Sequence, residues 1–382
     1  MALTLEEIMK ESGILHKIKL KAGKEGMKNI VEWVHIIEDD EVTEFLHGNE
    51  LVFLTGIGRV GKPLLPFIKG LNNNGISGVV INIGPYIKEI PNNVIEYCND
   101  VNLPLFSVPW EVKLVDVTRE FCRKIVKSEQ IEENLVSTIK NIIFDKGDIL
   151  EYKPFLERKC FLSHSQYTFI AITNKDSTKD ITNDGKLKFY IEKNIIWIRE
   201  TAISFSYKKY RIILLCDYTV DEIKLIISNL KRQYLNVGDN NYAIGVSSME
   251  SGYNSIPIIF TRAIDTVDIC MKKDCETMWY DDLGAYKILL DVKNKGTLEE
   301  FYNEILKPIE KYDSENDCNY KEFLRIYLEG NGSVQAIADK LFVHRNTVNY
   351  QINKIKKITG KDLTDLRVKF EFLLCFYIKD IL

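Results

Sequence analysis

Ser333-Val-Gln-Ala-Ile-Ala-Asp-Lys-Leu-Phe-Val-His-Arg-Asn-Thr-Val-Asn-Tyr-Gln-Ile-Asn-Lys-Ile-Lys-Lys-Ile-Thr-Gly360 is the stretch that decides how this 382-residue chain is read. Its spacing predicts two helices with a tight corner between them. Ser333 follows the turn pair Asn331-Gly332 and suits an N-cap, because its hydroxyl can accept an unpaired first-turn N–H. Ile337, Ala338 and Leu341 give the first helix one apolar face, with Ala338 small where a second helix must cross closely. Phe342 and Val343 are expected to plug the corner. The second helix starts near Arg345, carries Val348, Ile352, Ile355 and Ile358 as its inner stripe, and stops at Gly360, a natural C′ residue. Helices so joined form a helix-turn-helix, whose second helix fits a DNA major groove.

The outer face of that helix offers Arg345, Asn346, Asn349, Tyr350 and Asn353. Arginine pairs bidentately with guanine and asparagine with adenine, so these residue types suit base reading. Lys354, Lys356 and Lys357 follow, as contacts to phosphate require. His344 at the corner and Thr347 in the first turn complete the expected DNA-contacting set. Between Asn331 and Lys361 the only acid is Asp339 among six Lys and Arg, in a chain of formal net charge −4. A three-helix packing unit with a solvated lysine face is the alternative. Corner, polar first turn and local charge together favour double-stranded DNA as the partner.

Working outward, Tyr320 to Glu329 reads as the bundle's first helix, with Phe323, Leu324, Tyr327 and Leu328 inward. After Gly360, Thr364 is expected to cap a last helix whose Leu366, Phe370, Leu373, Leu374 and Tyr377 must be covered. Residues 299–322 carry eight acids against three lysines, and Asp313 to Asn319 is polar. That composition predicts an acidic linker over residues 296–319.

The other end of the chain alternates strands and helices: Leu51-Val-Phe-Leu-Thr55, a helix from Pro63 to Asn73, Gly78-Val-Val-Ile-Asn-Ile83, a helix from Pro91 to Asn99, and Pro104-Leu-Phe-Ser-Val108. Before them come a short amphipathic helix with Leu5, Ile8 and Met9, and a strand at Ile18-Lys-Leu20. This order implies right-handed crossovers and a parallel sheet, whose ligands sit beyond the carboxyl ends of the strands. Thr55, Gly56, Gly58, Arg59 and Gly84 stand there and are the expected effector contacts. Gly56-Ile-Gly58-Arg-Val-Gly61-Lys62 also satisfies two phosphate-loop patterns. A working Walker loop needs Ser or Thr next, and the chain has Pro63; a dinucleotide site needs an acid where Ile83-Gly84 stand. A glycine-rich corner before a capped helix is the plainer reading. His35, beside Trp33, reads as a packing histidine.

From Asp116 to about Phe144 the chain reads as one helix, with Val117, Phe121, Ile125, Ile131, Leu135, Ile139 and Ile142 as its apolar stripe. Its heptads are imperfect around Ser128, so pairing with a twin and packing within the chain both remain open. Beyond it, Tyr167 to Ile172, Ile195 to Ile198, Tyr210 to Cys216 and Tyr242 to Val246 read as strands. Val220 to Leu235 and Ile256 to Lys272 read as helices. The result is an α+β unit with an antiparallel meander. Arg262-Ala-Ile-Asp265 reads as helix surface.

Composition sets limits on function. Charged residues at 28% and hydrophobics at 45% describe an ordinary globular chain of two to four domains. Eight cysteines, among them Cys160 near His164 and Cys270 near Cys275, form no C-x-x-C pair. Metal and cofactor sites are therefore not expected. Scattered thiols, no signal peptide and no apolar run of spanning length predict a cytoplasmic protein with no membrane partner.

Leu341-Phe-Val-His-Arg-Asn-Thr-Val348, followed by Ile355-Lys-Lys-Ile-Thr-Gly360, resembles the C-terminal helix-turn-helix signature of PucR-like (purine catabolism regulator) transcription factors, which include the sugar-diacid regulators. Trp33-Val-His-Ile-Ile-Glu38, Gly48 to Gly56 and Leu103 to Pro109 resemble the N-terminal domain of the same family over about residues 5–125. Ala243-Ile-Gly-Val-Ser247 and Trp279 to Leu290 resemble its GGDEF-like domain, without the Gly-Gly-acid-acid-Phe turn of true cyclases.

The resemblance implies a multidomain α/β architecture: a parallel α/β sensor over residues 1–115, a helical connector 116–148, a degenerate GGDEF-like α+β domain 149–295, and an all-α helix-turn-helix domain 320–382. It implies a ligand-responsive regulator of a catabolic pathway, not an enzyme, that takes a small-molecule effector and binds DNA as a homodimer or higher homo-oligomer. The alternatives are a nucleotide-binding enzyme using the Gly56–Lys62 loop, and a scaffold whose helix-turn-helix contacts only protein.

Overall fold

The computed structural model describes residues 3–39, 43, 45–59, 61–144, 148–176, 178–182, 184–199, 201–235 and 241–382. The last part of the expected connector, residues 145–147, and Val60 of the glycine-rich loop lie outside them. The chain divides into two compact units, Met1–Tyr242 with Met249–Thr261, and Ala243–Ser248 with Arg262–Leu382.

The first unit begins with α1 (Leu5–Leu15), β1 (Lys19–Ala22), β2 (Trp33–Ile36), β3 (Glu50–Leu54), α2 (Leu64–Asn73), β4 (Gly78–Ile83), α3 (Asn92–Asp100), β5 (Leu105–Pro109) and α4 (Leu114–Ile143). Its strands form a sheet of order β1-β5-β4-β3-β2. β2, β3, β4 and β5 run parallel, and β1 lies antiparallel on β5. Alternation along β3 sends Val52 and Leu54 toward Phe67, Ile68 and Leu71 of α2, and Leu51 and Phe53 toward Leu5, Ile8 and Phe121 on the other face. Both faces are covered, which is why the strand is apolar from Leu51 to Leu54. β2, which periodicity did not single out, is a half-exposed edge strand.

The stripe of α4 is used inside the chain. Val117, Phe121 and Ile125 join the core of that sheet, and Leu135, Ile139 and Ile142 are buried further along. Phe121 and Leu135 are thus packing residues here rather than a seam open to a second copy.

α5 (Ile149–Arg158), β6 (Gln166–Asn174), α6 (Gly185–Ile198), β7 (Ala202–Tyr207), β8 (Tyr210–Cys216) and α7 (Val220–Leu230) follow. β7 pairs with β8 and β8 with β6, all antiparallel, as the expected meander requires. The expected strand Ile195 to Ile198 is instead the last turn of α6. Leu187, Ile191 and Ile195 are buried at helical spacing, and Asp184 caps the helix by accepting the Leu187 N–H at 3.0 Å. The strand is β7, whose Ser204 and Ser206 break its apolar run. α7 starts with a capping box between Thr219 and Glu222. β9 (Tyr242–Val246) and β10 (Glu250–Ser251) come next, and β10 pairs antiparallel with the start of β6.

In the second unit, β9 lies parallel to β11 (Thr277–Trp279), and α8 (Ile256–Lys272) crosses above Gly245. A Cβ at Gly245 would stand 2.3 Å from the Val267 nitrogen, so only glycine admits that approach. Arg262 and Asp265 are half-buried rather than helix surface: Arg262 lies over the Tyr280 ring at 4.6 Å and donates to the Ser248 hydroxyl at 2.7 Å. Burial pushes the Asp265 carboxyl up to about 6.

The chain continues as α9 (Tyr286–Leu290), α10 (Lys295–Ile305), α11 (Lys307–Asn316), α12 (Tyr320–Glu329), α13 (Val334–Leu341), α14 (Arg345–Thr359) and α15 (Leu366–Lys379). The acidic segment expected as a linker is helical, since α10 and α11 bury Ile305, Leu306 and Ile309 in one core with Phe323, Leu324 and Val348. Its acids line the outer faces, which composition alone cannot separate from a loop. The Asp313 carboxylate accepts the N–H groups of Tyr320 and Lys321, each at 2.9 Å, and so joins α11 to α12. α15 is capped by Asp365 rather than Thr364, whose hydroxyl bonds Asp362. Its buried face is Phe372, Cys375 and Ile378; Leu366 and Phe370, expected to be covered, are exposed. Among the described residues no helix is long and apolar enough to cross a membrane.

Candidate nucleic-acid interface

α13 is fixed by its cap, the Ser333 hydroxyl accepting the Ala336 N–H at 3.3 Å, and by Ile337 and Ala338 in the core. α14 crosses it with Val348 and Ile355 buried. Gly360 ends α14 in the left-handed region at φ 71°, and its N–H reaches the Lys356 carbonyl at 2.8 Å.

Phe342 does not plug the corner. It takes the left-handed C′ conformation after α13 at φ 56° and is 96% exposed. The corner closes through backbone instead, the Val343 N–H donating to the Ala338 carbonyl at 3.0 Å. A bulky residue at positive φ is strained, and nothing among the described residues covers this one.

At the start of α14, His344 is the N-cap and its Nδ1 accepts the Asn346 N–H at 3.2 Å. That bond needs an unprotonated Nδ1. With 3.6 residues per turn, Val348 and Ile355 inside place Asn346, Tyr350, Asn353 and Lys357 in one line along the opposite side. All four are exposed, as are His344, Arg345, Thr347 and Asn349.

The three lysines part company. Lys354 lies over the Tyr312 ring of α11 at 5.1 Å, and Lys356 pairs with Asp362 at 2.5 Å. Lys357 is exposed and forms no ion pair among the described residues. Lys356, joined by the N–H and hydroxyl of Thr364, holds the Asp362 carboxyl well below the usual range.

The expected effector contacts gather around an acid that sequence reasoning missed. Glu38 accepts the Thr55 N–H at 2.7 Å, the Thr55 hydroxyl at 2.5 Å and the Gly56 N–H at 2.9 Å. A Cβ at Gly58 would stand 3.2 Å from Glu38. Arg59 is buried, stacked on Phe67 at 3.9 Å and donating to the Pro63 carbonyl at 3.3 Å. A Cβ at Gly84 would meet the Trp110 ring at 2.7 Å. Beside these strand ends is a cavity of about 450 Å³ lined by Ile83, Ser107 and Pro109 with Lys17, Lys19, Lys21 and Lys88. Alternate spacing over residues 17–21, of which Lys19 and Lys21 lie in β1, could have found three of these lysines. Among the described residues no group of three or more His, Cys, Asp or Glu is placed to hold a metal.

Residues 7–125 match the model of the purine catabolism regulatory protein-like family, and residues 320–378 match the PucR C-terminal helix-turn-helix domain. Three Bacillus subtilis proteins are similar over part of their length. The proline-responsive transcriptional activator PutR is 34% identical over 25% of this chain and 23% of its own. The DNA-binding transcriptional activator AdeR is 24% identical over 54% of this chain and 52% of its own. The purine catabolism regulatory protein is 29% identical over 34% of this chain and 25% of its own. The chain thus matches between about a quarter and about half of each relative's length. The chain therefore carries a PucR family domain at its N-terminal end and a PucR C-terminal helix-turn-helix domain at the other.

Proposed function

We propose that this chain is a transcriptional regulator that reads double-stranded DNA with α14 and answers to a small-molecule effector. The observation that carries the reading is the exposed line Asn346, Tyr350, Asn353 and Lys357 on a helix anchored by buried Val348 and Ile355. Amide and phenol groups on an otherwise well-packed helix suit base edges, and the unpaired Lys357 suits phosphate. Arg345 and Asn349 flank the line. A single such helix covers too few base pairs for selectivity in a genome, so the protein acts as a homodimer or higher homo-oligomer on paired half-sites.

The finer parts of the reading draw on other features. Thr55, Gly56, Gly58, Arg59 and Gly84 lie at the strand ends where ligands of parallel sheets bind, although their own bonds are internal. Responsiveness to a catabolic metabolite is supported by the PutR and purine catabolism relatives, one of which is named as proline-responsive. A degenerate GGDEF-like spacer over residues 149–295 is supported by the antiparallel β7-β8-β6 arrangement. Pro63, as the N-cap of α2, supports a structural corner over a nucleotide-hydrolysing loop.

The test is fluorescence anisotropy of the full chain on fragments flanking its own gene, at physiological salt. Sequence-selective, salt-dependent binding is expected. Equal affinity for those fragments and random DNA would overturn the reading.

A further inference from the structure

Arg211, near the start of β8, is 7% exposed. It pairs across the ladder with Ser206, so its side chain shares a face with Ser204 and Ser206 of β7. Nη1 donates to the Ser206 hydroxyl and Nη2 to the Ser204 hydroxyl, each at 3.1 Å, and Nε has no partner. Among the described residues no carboxylate comes within ion-pair distance of it. A guanidinium cannot shed its proton, so burying one on two neutral hydroxyls leaves a charge uncompensated. Burial works against the charge, while Glu192, Glu132 and Asp184 favour it from a distance. Glu192 is no substitute for a bonded anion: it is 8% exposed, and its Oε1 accepts no hydrogen bond but forms an ion pair with Lys188 at 3.6 Å rather than with Arg211.

Arg211 and Ser204 face a cavity of about 840 Å³ with Lys188 of α6 and Lys140 of α4. Glu129, Glu132 and Glu133, within two turns of α4, also line it. The lining therefore carries as many acids as cations, the acids all on α4, and Arg211 and Lys188 on β8 and α6. The cations of the lining would hold a carboxylate, to which Arg211 has further N–H groups to offer beyond the two that its serines take. The three glutamates would repel a phosphate or a nucleotide and would leave a plain carboxylate's far end unaddressed.

We propose that this cavity binds a small zwitterion of the amino-acid class, its carboxylate on Arg211 and its cationic group toward the glutamates of α4. The lysine-lined cavity beside β1 has a simpler explanation, because lysines on an edge strand discourage pairing with other chains. The inference rests on the ligand-responsive part of the reading above and not on DNA contacts. Its test therefore uses no DNA, and loss of operator binding with amino-acid binding intact would sink the regulator reading alone.

The full chain is titrated calorimetrically with each proteinogenic L-amino acid, with acetate, methylamine and inorganic phosphate as controls. At least one amino acid should bind, and every control should bind at least about tenfold more weakly, because each addresses charges of one sign only. Arg211→Lys keeps the charge and loses the fork, and should weaken binding by about a hundredfold. Should that variant fail to fold, Lys188→Gln and the paired change Glu129→Gln with Glu133→Gln decide, since the two glutamates are exposed. The glutamate pair should weaken the amino acid by about tenfold and leave acetate unchanged. No binding by any amino acid, equal binding by acetate or phosphate, or an affinity indifferent to these substitutions would overturn the proposal.

Discussion

On α14, Asn346, Tyr350 and Asn353 stand exposed on a helix whose inner stripe is buried. After β3, by contrast, Thr55 and Gly56 turn onto Glu38, and Arg59 turns onto Phe67 and the Pro63 carbonyl. Both stretches pair polar or glycine-rich residues with an apolar element, and both match known binding patterns. They differ in where the hydrogen-bonding groups end up. Groups already bonded within the chain hold the fold, whereas groups left facing solvent on a rigid element remain for a partner.

Four results would break or sharpen that contrast. The largest effect is expected at Glu38→Ala. Losing three bonds to a charged acceptor should destabilise the first unit by about 3 kcal/mol in denaturant unfolding followed by tryptophan fluorescence. An unchanged midpoint would mean that the loop's groups are as free as those of α14.

Next come Arg345→Ala and Tyr350→Ala. Each should cost about 1–3 kcal/mol of operator affinity, and each should move unfolding by less than about 0.5 kcal/mol. A stability loss larger than the affinity loss would make them packing residues after all.

The lysines should differ more modestly. Lys357→Ala should lower the slope of log affinity against log salt by about one contact, whereas Lys356→Ala should change it less because Asp362 already occupies that ammonium. Equal slopes for the two variants would contradict the pairing.

The smallest effect concerns pH. Asp362 has a depressed carboxyl, so its stabilisation of the end of α14 is present above the unfolded carboxylate value and is lost as pH falls through the folded one. The loss therefore begins only below about pH 4, seen as amide exchange at Gly360 and Lys361. Asp362→Asn should abolish that step, and a step persisting in the variant would assign it elsewhere.

Much of the architecture was readable because period and punctuation agreed. Val348, Ile352, Ile355 and Ile358 mark α14 and Gly360 ends it; β3, β4 and β5 are mainly apolar runs between turns, each with one polar residue (Glu50, Asn82 and Ser107); α8 keeps the bounds read from its pattern. The failures share one physical cause, namely that local sequence does not report which groups meet at a distance. Ile195 to Ile198 is a short apolar run that suits strand or helix, and only Leu187 and Ile191 decide for helix. The acids of α10 and α11 mask Ile305 and Ile309, whose partners lie in α12 and α14. Exposed Phe342, Leu366 and Phe370 break the rule that large apolar residues go inside. Of the candidate sites, the α14 face was legible because a helix displays its outer residues by period alone. Glu38 beneath Thr55, and Arg211 between two serines, were not, because each is defined by contacts across strands.

The central claim is that α14 reads base edges, and selection from a random DNA pool tests it most directly. Wild type and Asn346→Ala are each carried through selection as full-length protein. The account predicts one enriched motif for wild type and the same motif, relaxed at a single base position per half-site, for the variant. Identical motifs at identical affinity would place the reading surface elsewhere and contradict it.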